Sequence, residues 1–175
     1  MEAREAQYEK DYAKYLDLPE PVLKDIKLNV DLRPSKRWVQ FDGSYRFVNE
    51  SNAPIELLHV RMNVPRSMAR LESITVPGAT LEKDDADNLH RIYRFDRPLQ
   101  PGASGTLTFR TVMEQRGLKS LPSNKEYWEV DVQPAKNGAY LTNLSFAPAL
   151  GVNRGTFLQG NSLRKKYGLP PETPT

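Results

Sequence analysis

Between Ile26 and Phe47 the chain keeps a period of two. Ile26, Leu28, Val30 and Leu32 alternate with Lys27, Asn29, Asp31 and Arg33. After Pro34-Ser35-Lys36-Arg37, the residues Val39, Phe41, Gly43, Tyr45 and Phe47 alternate with Trp38, Gln40, Asp42, Ser44 and Arg46. Successive side chains of a strand point to opposite faces, so this pattern specifies two half-buried strands and excludes an amphipathic helix. The connection is too short for a parallel crossover, so the two strands pair antiparallel.

The pattern continues downstream. Leu58, Val60, Met62 and Val64 mark a third strand, with His59 and Arg61 on its opposite face. Weaker strands are expected over residues 71–76, 81–83, 89–95 and 106–112, and two late ones over 127–132 and 140–146. Turn chemistry separates them: Asn49 to Pro54, Pro77-Gly78, the acidic run Asp84 to Asn88, and Arg97 to Gly102. Many short strands with regular turn signals and no intervening helical pattern predict a mainly β fold, an antiparallel β-sandwich. A helix is expected at each end. Over residues 2–16, Tyr8, Tyr12 and Tyr15 share one face, which suits a connector lying on its own domain, or else a docking helix. Pro19 and Pro21 stop it. Residues 162–167 read as a short helix capped by Asn161 or Ser162, with Gly168 ending it. The expected organisation is a connector over 1–20, the sandwich over 21–150 and an extension over 151–175 that ends in a Pro-rich linker.

Composition narrows the function classes. No cysteine is present, which removes disulfides, thiolate metal sites and cysteine nucleophiles. A net charge of +3 is too mild for a nucleic-acid interface. No apolar run approaches the roughly 20 residues of a membrane span, and the N-terminus has no secretory apolar core. The two histidines, His59 and His90, fall in strands without neighbouring ligands, and zinc wants three or four, so both are expected as surface histidines. Asp84, Asp85 and Asp87 read as a solvated hairpin tip rather than a calcium loop, which would need a glycine and a distant glutamate. Glu126, Glu129 and Asp131 flank Tyr127 and Trp128, an arrangement that could raise a carboxyl pKa but equally describes an edge strand. No G-x-S-x-G elbow and no phosphate-binding glycine loop occurs. Asn49-Glu50-Ser51 and Asn143-Leu144-Ser145 match the glycosylation sequon. Catalytic, metal and cofactor residues are therefore expected to be none in this chain.

Three stretches together resemble a known family. They are Asp25 to Leu32 with Phe47-Val48-Asn49; Tyr93 to Gly102 with Leu107-Thr108-Phe109; and Asn137 to Leu141, Phe146 to Gly151 and Arg164 to Pro170. The chain resembles the N-terminal β-domain of aminopeptidase N-like zinc metallopeptidases. The third stretch is similar to a bacterial branch in which an ABC-transporter-type permease is fused to the aminopeptidase-like region. The resemblance implies a non-catalytic domain that walls the substrate cleft. It implies as partners the catalytic and membrane domains of the parent chain, with peptide substrate at the domain edge, an extracytoplasmic location, and zinc confined to the catalytic domain. The family's H-E-x-x-H and G-x-M-E-N segments do not occur here, so the chain reads as a piece of a longer protein. Tyr140, Phe157 and Arg164 are the expected contacts with the catalytic domain, or else pack the C-terminal extension locally. The alternatives are a stand-alone extracytoplasmic immunoglobulin-like binding or assembly module, and an independent enzyme with no recognisable motif.

Overall fold

The computed structural model describes residues 2–64, 66, 69–114 and 146–172. The chain is mainly antiparallel β. Helix α1 (Glu2–Tyr12) runs into a 3₁₀ turn (Ala13–Tyr15), and eight strands follow: β1 (Val22–Arg33), β2 (Trp38–Val48), β3 (Ile55–Arg61), β4 (Arg70–Thr75), β5 (Ala79–Asp85), β6 (His90–Leu99), β7 (Ser104–Glu114) and β8 (Ala149–Leu150). A short helix, α2 (Asn161–Lys166), lies near the end. The strands form two four-stranded sheets. Sheet A has the order β1-β2-β7-β4 and sheet B the order β5-β6-β3-β8.

The sequence pattern dictates which faces meet. Tyr45 and Phe47 of β2, Leu58 and Val60 of β3, Tyr93 and Phe95 of β6, and Leu107 and Phe109 of β7 form one buried cluster between the sheets. A smaller cluster of Val39, Phe41, Val64, Ala69 and Met113 closes one end. Gly43 is part of the pattern for a steric reason: a Cβ there would lie 2.1 Å from the Phe109 ring. Phe109 thus crosses β2 where β2 has no side chain. Strands β5, β6 and β7 run longer than the weaker sequence signals suggest. Pro98 lies inside β6 rather than in the turn, beyond the last pair that β6 makes with β5, Ala79–Phe95. Asn49, of the first sequon, is fully buried: its amide donates to the carbonyls of Ala53 and Leu99 and accepts from Ser51, which closes the β2–β3 turn.

The ends are tied together. Gly151 has φ +87, and the Glu20 carboxylate sits where its Cβ would be. That carboxylate accepts the Val152 N–H at 2.9 Å. Helix α2 starts at Gly160 without a side-chain cap, not at Asn161 or Ser162 as expected, and Gly168 takes the left-handed conformation after it. The expected late strand over 127–132, all of that over 140–146 except Phe146, the second sequon and the Glu126, Glu129 and Asp131 group lie outside the described residues.

Candidate docking surface

The clean alternation of β1 predicts a half-buried strand, yet all twelve of its residues are exposed. Its register explains why. Ile26 pairs with Tyr45, Leu28 with Gly43, Val30 with Phe41 and Leu32 with Val39. Directly opposed residues share a face, so the apolar row of β1 continues the core face of sheet A. Across from it, sheet B offers only the two-residue strand β8 among the described residues. Ile26 is 53% exposed and Val30 52%. The result is an open cleft of about 440 Å³, with Leu23, Ile26 and Leu28 on one wall and Phe146, Pro148 and Leu150 on the other. Phe146 stacks on Phe41 at 3.9 Å, and the Tyr45 hydroxyl donates to the Pro148 carbonyl at 2.9 Å, so the second wall is held in place.

The outer face of sheet B shows the opposite. His59 and His90 are buried, not at the surface as expected, because α1 lies across them. Tyr12 stacks on His90 at 4.2 Å and Tyr15 sits against His59 at 4.6 Å, so the tyrosine stripe faces the chain's own sheet. The polar atoms form one chain. The Tyr8 hydroxyl accepts the Asn153 N–H and shares a hydrogen bond with His90 Nδ1 at 3.2 Å. His90 Nε2 shares a second with His59 Nδ1 at 3.0 Å, so one of these two nitrogens carries a proton and the other accepts it. His59 Nε2 is shut from solvent without a partner. Burial holds both imidazoles neutral, His59 down to about 4 and His90 down to about 3; His59, Arg61 and Lys83 add to the effect on His90. Tyr12 donates to Asp85 at 2.7 Å, and Asp84 pairs with Arg91, so the acidic turn is partly used in packing.

The expected contact residues are placed as follows. Arg164 is buried, and each of its three guanidinium nitrogens donates within the chain. It makes a two-pronged pair with Glu9 of α1 at 2.6 and 2.9 Å, and donates to the carbonyls of Leu158 and Pro170. Phe157 meets Tyr8 edge-on at 5.9 Å. Both therefore seat α1 on the C-terminal extension. Tyr140 lies outside the described residues. Among the described residues, no three His, Cys, Asp or Glu side chains converge to hold a metal ion. No helix there is long and apolar enough to cross a membrane.

No protein-family model matches this chain, and no curated protein sequence does. Solved structures with some likeness include an M1 zinc metallopeptidase from Deinococcus radiodurans bound to a Tyr-Ser-Ala substrate: 15% identity, TM-score 0.38, covering 59% of this chain and 23% of that one. A two-domain M1 zinc metallopeptidase bound to L-tryptophan gives 16% identity and a TM-score of 0.39, again over 59% and 23%. The chitin-binding domain of a chitinase from Pyrococcus furiosus gives 14% and 0.27, over 57% of this chain and 89% of that one. This chain thus spans about a quarter of the length of the metallopeptidases. At these values the likenesses carry no argument about what it does.

Proposed function

We propose that this chain is a non-catalytic β-sandwich domain of a larger bacterial protein of zinc aminopeptidase type, and that the parent's catalytic domain docks along the inner face of β1. One observation carries the reading: a core-type apolar row, Ile26, Leu28, Val30 and Leu32, is open on sheet A, where among the described residues the sandwich has no full strand opposite. An apolar face of this kind is a place to receive another apolar surface. The family resemblance of the sequence stretches supplies the identity of that surface. In this reading the domain walls the substrate cleft and peptide passes at its edge. Zinc belongs to the catalytic domain, and the connector with α1 leads back to a permease-type membrane part, so that the domain faces outside the cytoplasm.

The source gene and its full-length product test this. The frame should continue past codon 175 into an H-E-x-x-H segment. In that product a Val30→Cys thiol, alone in a cysteine-free domain, should react with maleimide far more slowly than in the isolated chain. Equal rates, or a frame that closes at codon 175, would reject the reading. A second reading, a stand-alone extracytoplasmic binding or assembly module, is favoured by the outer edge of β1, which no strand among the described residues pairs with, since open sheet edges capture strands.

A further inference from the structure

The outer edge of β1 is separate from its apolar face. Among the described residues no strand pairs with it. A twelve-residue edge with no proline and no bulge after Asp25 is a template for strand addition, which proteins ordinarily block. Its charges are ordered about a centre. The regular stretch runs from Asp25, just after the β-bulge, to Arg33, just before a 3₁₀ turn at Pro34–Lys36, and Asn29 is its midpoint. Around Asn29 the signs are antisymmetric: Asp25 answers Arg33, and Lys27 answers Asp31.

We propose that β1 pairs antiparallel with β1 of a second copy of this chain, about a two-fold axis at Asn29, joining the two A sheets into one of eight strands. In such a pair Asp25 faces the second copy's Arg33 and Lys27 faces its Asp31, and the symmetry repeats both contacts. On the other face Ile26 meets Leu32 and Leu28 meets Val30, so the apolar row doubles in width. The register is selected by charge. Antiparallel partners must share a face, so only steps of two residues are open to it. Centring the pair on Leu28 sets Asp25 against Asp31. Centring it on Val30 sets Lys27 against Arg33. Centring it on Lys27 or Asp31 sets that residue against itself. Of these five registers, only the one centred on Asn29 has no like-charge pair. The competing contact, the Asp31–Arg33 ion pair within the strand, is solvent-exposed, so exchanging it costs little.

The test uses the whole chain of 175 residues and 20.0 kDa, and its lack of cysteine. Sedimentation over a concentration series should show a monomer–dimer equilibrium that weakens with salt. Lys27→Glu should weaken the dimer by about tenfold, because it creates two like-charge pairs. Adding Asp31→Lys should restore it. In an Asn29→Cys variant the two thiols face each other across the axis at a Cα separation of about 4.5–5.5 Å, within disulfide reach. That variant should cross-link on mild oxidation, and Lys24→Cys should not. A chain that stays monomeric at every concentration overturns the proposal. So does a dimer indifferent to the charge reversals, which would join through another surface.

Discussion

The outer face of sheet B and the inner face of β1 contradict their own hydropathy in opposite directions. On the first, His59 and His90 of the sheet are sealed from water, together with Glu9 of α1 and Arg164 of α2 that lie over it. On the second, Ile26, Leu28, Val30 and Leu32 are open to it. The difference lies in what covers each surface. Helix α1 and the C-terminal extension lie over sheet B, so its polar groups had to find partners inside the chain; most did, with His59 Nε2 and Arg61 Nε left without one. Nothing comparable among the described residues lies over β1. A covered polar face is specific, since each donor needs its acceptor. An open apolar face will accept any apolar surface of matching shape.

The largest effect is expected where the covered face holds charge. Arg164→Ala would leave the Glu9 carboxylate buried without its partner. Breaking a buried pair in this way costs about 3–5 kcal/mol, read as a lower urea midpoint at unchanged slope. Replacing both Glu9 and Arg164 by leucine should recover most of that loss, because a buried pair is often no better than apolar packing of similar volume. If the single and double variants were equally unstable, the seat of α1 would depend on the hydrogen bonds from Arg164 to Leu158 and Pro170 instead.

The histidine pair gives the next effect. Both imidazoles are depressed from the ordinary 6.5, so the folded state binds fewer protons than the unfolded chain between about pH 6.5 and the folded values near 4 and 3. Their contribution is complete above pH 6.5 and is lost as pH falls through that window. At pH 5 each has lost about 2 kcal/mol, together about 4 kcal/mol relative to pH 7. Denaturation midpoints at pH 7, 6 and 5 measure the slope. His59→Gln or His90→Gln should roughly halve it, and an unchanged slope would place the acid sensitivity elsewhere.

How much of this was legible depended on range. Strand identity is local, and the period-two runs placed β1, β2 and β3 and their antiparallel pairing. The tyrosine stripe likewise marked the face that α1 presents. Burial is not local. Nothing in Lys27 to Arg33 signals that, among the described residues, sheet B offers β1 no full strand opposite, so the strand with the cleanest alternation is the most exposed of those described. His59 looks like the outer residue of a strand, and it is one. Its burial comes from a helix about 45 positions earlier in the chain, whose tyrosines carry no label naming their target. The Glu9–Arg164 pair spans 155 positions, and no spacing rule reaches that far.

The smallest predicted effect is also the most direct probe of the comparison, because the same substitution can be made on both kinds of surface. Val60→Thr places a hydroxyl in the core, where Val60 is 1% exposed, and should cost about 1–3 kcal/mol for an unpartnered polar group. Val30→Thr keeps the shape and the strand propensity on a residue that is half open to water, and should change the stability of the dilute chain by less than about 0.5 kcal/mol. Urea denaturation of the two variants at low protein concentration decides it. Near-equal losses would mean that the inner face of β1 is covered within the chain itself, and the contrast between the two surfaces would collapse. A loss at Val30 that emerges only as concentration rises, or only in the full-length product, would instead assign the cover to a partner, since only an interaction between molecules or domains makes the cost of a hydroxyl depend on what else is in solution.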